Sequence, residues 1–131
     1  MFQRIILAIG ALVAAYISLR AITAPESVLV NLGLIIDGAD GRSEIRGQYG
    51  GFFGAVAIAM VLSLIGKLPQ KFGLGMLLIT VGGVLMGRLL SIVIEGPQVL
   101  ASYSSSIQAF IIVDIILVAL TLLALRTTPS K

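Results

Sequence analysis

The segment Ile107–Leu125, with the sequence IQAFIIVDIILVALTLLAL, decides the fold class of this chain. It is almost entirely apolar, and its single charged side chain is Asp114. About 20 mostly apolar residues in a helix cross the hydrocarbon core of a bilayer. Three earlier runs have the same character, so the sequence predicts four spans, at residues 5–23, 45–66, 72–94 and 107–125. We therefore expect an all-α membrane protein with four transmembrane helices in an antiparallel bundle.

The composition supports this class and excludes several kinds of function. Hydrophobic residues make up 58% of the 131 residues and charged residues 11%, whereas a soluble domain carries about 25% charged residues. This length predicts a single domain, residues 1–131. The chain has no cysteine and no histidine, which excludes disulfides and removes the commonest metal ligand and general base. Because the loops are also short, we expect a non-enzymatic protein without metal or cofactor.

The charged residues outside the spans divide between the two sides of the predicted bundle. One side holds basic residues without nearby acids, namely Arg4, Lys67, Lys71, Arg126 and Lys131. The other side holds most of the acids, namely Glu26, Asp37, Asp40, Glu44 and Glu95. Because basic residues remain cytoplasmic, both termini are predicted to be cytoplasmic. The first span is expected to be retained, since Ile22 stands where a signal-peptide cleavage site needs a small residue.

The first outer connection has the features of a short helix. Threonine at 23 can cap a helix, and proline suits the first helical position. Apolar residues follow, so the sequence predicts a helix over Pro25–Leu34 that lies along the outer interface. Asp37-Gly38 and Asp40-Gly41 are predicted to end it as turns, since the full calcium-loop pattern is missing. In the third connection, one serine between 102 and 106 is expected to cap the fourth span.

Two ionisable residues lie inside the predicted spans. Arg88 and Asp114 are each roughly 10 Å below the outer boundary, from the rise per residue of a helix. Because an isolated charge at this depth is costly, the two are predicted to pair across neighbouring helices. The pair is either a structural link that sets helix register or part of a ligand site, and both alternatives stay open here.

Further polar residues and glycines complete the candidate site. A polar cluster in the outer half is predicted, above a dry apolar inner half, from Glu44, Arg46, Tyr49, Arg88 and Asp114. Glu44 and Arg46 have an alternative, since side chains near helix ends also snorkel to the interface. Glycines at four-residue spacing are expected to bring the second and third helices together, with contact between protomers as the alternative, at Gly47, Gly50, Gly51, Gly54, Gly83 and Gly87.

The run Glu44–Gly51, EIRGQYGG, together with Gly87-Arg88, resembles one known family. This family consists of small bacterial four-helix membrane proteins known as domain-of-unknown-function family 4345. Its signature of acid-x-Arg-x-x-Tyr-Gly-Gly opens the second helix, and a Gly-Arg lies in the third. The resemblance implies a bacterial inner-membrane location and marks signature positions, namely Glu44, Arg46, Tyr49, Gly50, Gly51 and Arg88. The family often has asparagine before the acid, where this chain has Ser43. The resemblance implies no activity.

Two functional hypotheses follow, from different classes. The first is an accessory or scaffolding subunit that associates with other membrane proteins. The alternative is binding or transport of a small anionic or amphipathic molecule, or of a lipid, in the outer polar cup, where Arg46 and Arg88 would meet its negative group. The expected partners are membrane lipid and either other membrane subunits or further copies of this chain, and no nucleic acid is expected.

Overall fold

The computed structural model of the protein is helical, and four of its helices are long and apolar enough to cross a membrane. It describes residues 1–30, 33–36 and 38–128. The elements are α1 Phe2–Thr23, α2 Pro25–Val30, α3 Gly38–Ile45, a π-helix Arg46–Gly51, α4 Phe52–Leu64, α5 Gln70–Glu95, α6 Val99–Ser102 and α7 Ser105–Arg126. The prediction of an all-α, four-span protein is thus confirmed. The antiparallel order of all four spans stays a prediction.

The spans pack in a ring, with α1 along α4, α5 between α4 and α7, and α1 also touching α5 and α7. Two side chains at the start of α1 define one end of this bundle. The Gln3 amide donates to the Thr127 carbonyl at 3.2 Å, and Arg4 donates to the Leu64 carbonyl at 3.1 Å. We call this end, where α4 and α7 finish, the terminal end. A cation beside the last carbonyls of α4 also compensates the negative end of its helix dipole.

The basic residues without nearby acids gather at the terminal end. Arg4 and Arg126 lie at the start of α1 and the end of α7, and Lys67 and Lys71 flank the start of α5. Lys131, predicted on the same side, lies outside the described residues. That this side is cytoplasmic stays a prediction.

The apolar core lies toward the terminal end. Leu7, Met60 and Leu74 are fully buried there, one from each of three spans. Gly10 and Gly73 permit the close packing around them. A Cβ at Gly10 would lie 2.9 Å from the Met60 sulfur, and a Cβ at Gly73 would lie 2.8 Å from a Leu7 methyl. Both distances are far shorter than carbon contacts at their optimum, so the core depends on two glycines that the sequence analysis does not single out.

The second span begins earlier than predicted. The prediction began it at residue 45, where the apolar run starts, but α3, the π-helix and α4 form one helix over Gly38–Leu64. Backbone hydrogen bonds define a helix, and they extend through the polar residues ahead of the apolar run. Asp40-Gly41 is therefore helical and not a turn, and Asp37 lies outside the described residues. The span ends at Leu64, before the predicted residue 66, because Gly66 has a φ of +79° and reverses the chain.

The helix predicted over Pro25–Leu34, along the outer interface, is shorter in the structure. It comprises Pro25–Val30, and a turn follows at Gly33. Leu32, within the predicted range, lies outside the described residues. Thr23 does not cap this helix, because it is the last residue of α1 and its hydroxyl donates to the Leu19 carbonyl at 2.7 Å.

The predicted cap of the fourth span is confirmed. The Ser104 hydroxyl accepts a hydrogen bond from the Ile107 amide at 3.3 Å. Helix α7 therefore begins at a defined residue of the third connection, next to the site described below.

Candidate functional site

An open groove of about 730 Å³ lies at the end of the bundle opposite the terminal end, which we call the groove end. Its polar wall consists of Arg88, Ser91, Ser102, Tyr103 and Ser104. The rest of its lining is apolar or lacks a side chain, at Val30, Gly33, Val84, Gly87 and Ile107. The groove thus brings together the end of α2, the half of α5 that lies at the groove end, and the connection into α7.

The groove continues a stripe of α5 that is buried elsewhere. The members of this stripe follow one another at helical spacing: Gly73, Leu77, Thr80, Val84, Gly87 and Ser91. The first three are buried in the core, whereas Val84, Gly87 and Ser91 line the groove. Among the described residues, one face of α5 is therefore covered by protein toward the terminal end and open toward the groove end.

The pairing predicted for Arg88 and Asp114 is confirmed. The Arg88 guanidinium donates from Nη1 to an Asp114 carboxylate oxygen, which joins α5 to α7. Their side chains are 25% and 15% exposed. The Phe110 ring lies 5.5 Å from the guanidinium carbon, within the range of a cation–π contact. Mutual pairing offsets much of the cost of holding either charge at membrane depth.

A chain of hydroxyl hydrogen bonds connects the same wall to the end of α5. The Tyr103 hydroxyl donates to Ser91 at 3.1 Å, and the Ser91 hydroxyl donates to Glu95 at 2.6 Å. Tyr103 was not predicted as a site residue, although an aromatic hydroxyl beside a serine-rich connection was an available signal. Within residues 1–30, 33–36 and 38–128, no three metal-ligating side chains form a group.

The signature segment makes different contacts. Arg46 donates from Nε to the Ile22 carbonyl at 3.1 Å, and the Ser18 hydroxyl donates to the Gly50 carbonyl at 2.6 Å. Both bonds tie the π-helix to the last turns of α1. The π-helix comprises six residues. π-Helices are rare in proteins, and they occur frequently at functional sites. Here it presents Arg46 and Gly50 to α1 together.

The other polar signature residues also lie away from the groove. Tyr49 stacks on Phe53 with ring centroids 6.2 Å apart. Glu44 is exposed, and no ion pair of its carboxylate occurs among the described residues. Of the five predicted polar residues, only Arg88 lines the groove, and Asp114 pairs with it from behind. The single cup that was predicted is therefore not formed by these residues. Arg46 bonds to α1 and Tyr49 stacks on Phe53, whereas Arg88 lines the groove.

The predicted packing glycines act between different helices from those expected. A Cβ at Gly50 would lie 2.8 Å from Ile22, and a Cβ at Gly54 would lie 2.9 Å from the Ser18 hydroxyl. These two glycines thus bring the second span against the first. Gly51 has only its own helix within reach, at the Arg46 carbonyl. The remaining three have no described atom within 4 Å of a Cβ built on them apart from those of their own stretch of helix, namely Gly47, Gly83 and Gly87.

Comparison with known protein families gives a match over most of the chain. Residues 2–125 match the family model described as domain of unknown function (DUF4345). No curated protein and no solved structure matches the chain.

Proposed function

The chain belongs to the family described as domain of unknown function (DUF4345), and we propose that it is a non-enzymatic multi-pass membrane protein that binds an amphipathic molecule in the groove beside Arg88. The observation that carries this proposal is the α5 stripe that is buried at the terminal end and open at the groove end. An uncovered continuation of a core face favours an occupant that completes the packing.

The size and lining of the groove suit such an occupant. Sites for small molecules typically measure about 300–1,000 Å³ and combine apolar walls with a few polar groups. The 730 Å³ groove lies within this range. It sets Val84 and Ile107 close to one guanidinium and several hydroxyls, which matches a molecule with a polar head and an apolar body.

A pair of glycine substitutions tests the proposal. Gly87 lines the groove, and Gly82 does not. Apart from atoms of its own stretch of helix, neither has a described atom within 4 Å of a Cβ built on it. Gly87→Leu should fill the groove, and Gly82→Leu should place the same side chain elsewhere on α5. We expect native mass spectrometry of protein extracted in mild detergent to show a bound species of defined mass on the wild type and on Gly82→Leu. Gly87→Leu should lack this species, and retention on all three proteins would contradict the proposal.

A second candidate function is that of an accessory subunit in the bacterial cytoplasmic membrane, with the terminal end inside the cell. It is supported by the exposure of α5 and α7. In the apolar 18-residue stretch of each of these helices 11% is buried, against 39% in that of α1. Gly83 adds a small residue on this side, and small residues favour helix association in lipid. Purification from native membranes tests this role, since a partner subunit should copurify in a fixed ratio. A chain that elutes alone from several mild detergents would contradict it.

A further inference from the structure

The electrostatics of the groove are asymmetric. Arg88 is the one charged side chain among the described residues that line it, and no carboxylate belongs to this lining. Asp114, the partner of Arg88, is more buried and lies outside the lining. The groove therefore presents a positive charge to an occupant and keeps the matching negative charge behind it.

The Arg88 guanidinium also has unused hydrogen-bond donors. Arginine carries five N–H donors in a planar fork, and the hydrogen bond to Asp114 uses Nη1. Among the described residues, Nε and Nη2 have no acceptor. Two adjacent donors on one fork are suited to two oxygens of a single phosphate group.

Some hydroxyl groups near Arg88 already donate a hydrogen bond, and others are free to donate one. Tyr103 and Ser91 already donate, to Ser91 and Glu95 respectively. Ser104 accepts from the Ile107 amide, and this leaves its own O–H free to donate. The Ser104 hydroxyl is thus a further hydrogen-bond donor in the polar wall. The N-terminus of α7, which follows Ser104, is the positive end of the helix dipole and also favours an anion.

The order of polar and apolar residues gives the occupant a direction. Val84 lies one helical turn nearer the core than Arg88, and Ser104 lies in the connection beyond the membrane-spanning helices. An anionic head at Arg88 would therefore lead into an apolar body at Val84. A zwitterionic head would bring an ammonium group as well. The described lining has no carboxylate to receive it, and the Glu95 carboxylate, which lies outside the lining, already accepts a hydrogen bond from Ser91.

We propose that the groove binds an acidic membrane phospholipid, with its phosphate oxygens on Nε and Nη2 of Arg88 and the start of its acyl chains against Val84. This inference rests on the proposed amphiphile site and names the chemistry of its occupant. The experiment therefore separates loss of the site from loss of the charge preference.

The test titrates the purified, delipidated full chain with phosphatidylglycerol and with phosphatidylcholine of identical acyl chains, followed by native mass spectrometry. The paired variant Arg88→Gln with Asp114→Asn removes both charges and keeps a hydrogen-bonding pair, so that neither partner is left as a lone buried charge. Arg20→Gln removes an exposed arginine of α1 and serves as the charge control. Helical circular dichroism confirms that each variant is folded.

We expect the wild type and Arg20→Gln to bind phosphatidylglycerol about tenfold or more tightly than phosphatidylcholine. Both lipids carry the phosphate, so the preference comes from the choline cation, which would lie close to the Arg88 guanidinium and be repelled by its like charge. The paired variant should bind both lipids equally, and Gly87→Leu should bind neither. A preference that persists in the paired variant, or that is absent in the wild type, would overturn the acidic-lipid inference alone. Undiminished binding of both lipids by Gly87→Leu would overturn the amphiphile site itself.

Discussion

The Ser18 hydroxyl donates a buried hydrogen bond of 2.6 Å to the carbonyl of Gly50, between α1 and the π-helix. The same hydroxyl lies where a side chain at Gly54 would begin. Together with the bond from Arg46 to the Ile22 carbonyl, this contact clamps the first span to the second. The resemblance to the family rests largely on this segment, and its contacts here are structural. The groove lies elsewhere, beside Arg88.

We expect Ser18→Ala to destabilise the protein by about 1 kcal/mol, because it removes a buried hydrogen bond and leaves the Gly50 carbonyl without this donor. Ser43→Ala is the control, since Ser43 is exposed. Thermal unfolding in detergent, followed by helical circular dichroism, measures the difference. Equal midpoints for the two variants would show that the bond contributes nothing to stability.

Two glycines of the signature segment should respond in opposite ways to alanine. At Gly50 a methyl group would meet Ile22 at 2.8 Å, whereas at Gly47 it would meet no described atom within 4 Å outside its own stretch of helix. Gly50→Ala should therefore cost about 1–3 kcal/mol through overpacking. Gly47→Ala should be neutral or stabilising by up to about 1 kcal/mol, since alanine favours the helix. The same unfolding measurement checks both, and an equal loss at the two positions would contradict the close approach of α1 at Gly50.

Replacing one partner of the Arg88–Asp114 pair should reduce the folded yield more than replacing both partners. Either Arg88→Leu or Asp114→Leu alone leaves an unpaired charge at membrane depth, which costs about 3–5 kcal/mol in buried pairs of soluble proteins. The double variant leaves none, so we expect it to recover much of the folded yield in detergent, measured by size-exclusion chromatography. A double variant as damaged as the worse single variant would mean that the pair has a role that apolar packing cannot replace.

The orientation of the chain is open to a direct test. Because basic residues gather at the terminal end, we expect both termini to be cytoplasmic and the groove end to face outward. Fusions of a reporter that is active only in the periplasm should be silent after Thr128 and active at Asp40. The reverse pattern would place the groove on the cytoplasmic side, and the acidic lipid would then come from the inner leaflet.

Several features of the site were accessible from the sequence because membrane depth follows from position along a span. Arg88 and Asp114 lie at matched depth in neighbouring spans, and a charge in lipid must find a partner, so their pairing could be predicted. The Ser104 cap followed from a run of serines ahead of an apolar helix. Each of these inferences uses only distance along the chain and the cost of exposing charge or backbone to lipid.

The sequence by itself determined the four spans, their approximate depth and the division of charge between the two ends, because apolar length and charge are local properties. The tertiary structure decided which face of each helix turns inward. Lipid is as apolar as the core, so a membrane helix shows no amphipathic stripe that marks its inner side. For this reason Gly50 and Gly54 were expected to contact α5 and instead contact α1, Gly10 and Gly73 were not recognised, and Arg46 was placed with Arg88. The groove exists because α5 turns one continuous face toward a core that is filled at Leu77 and open at Gly87.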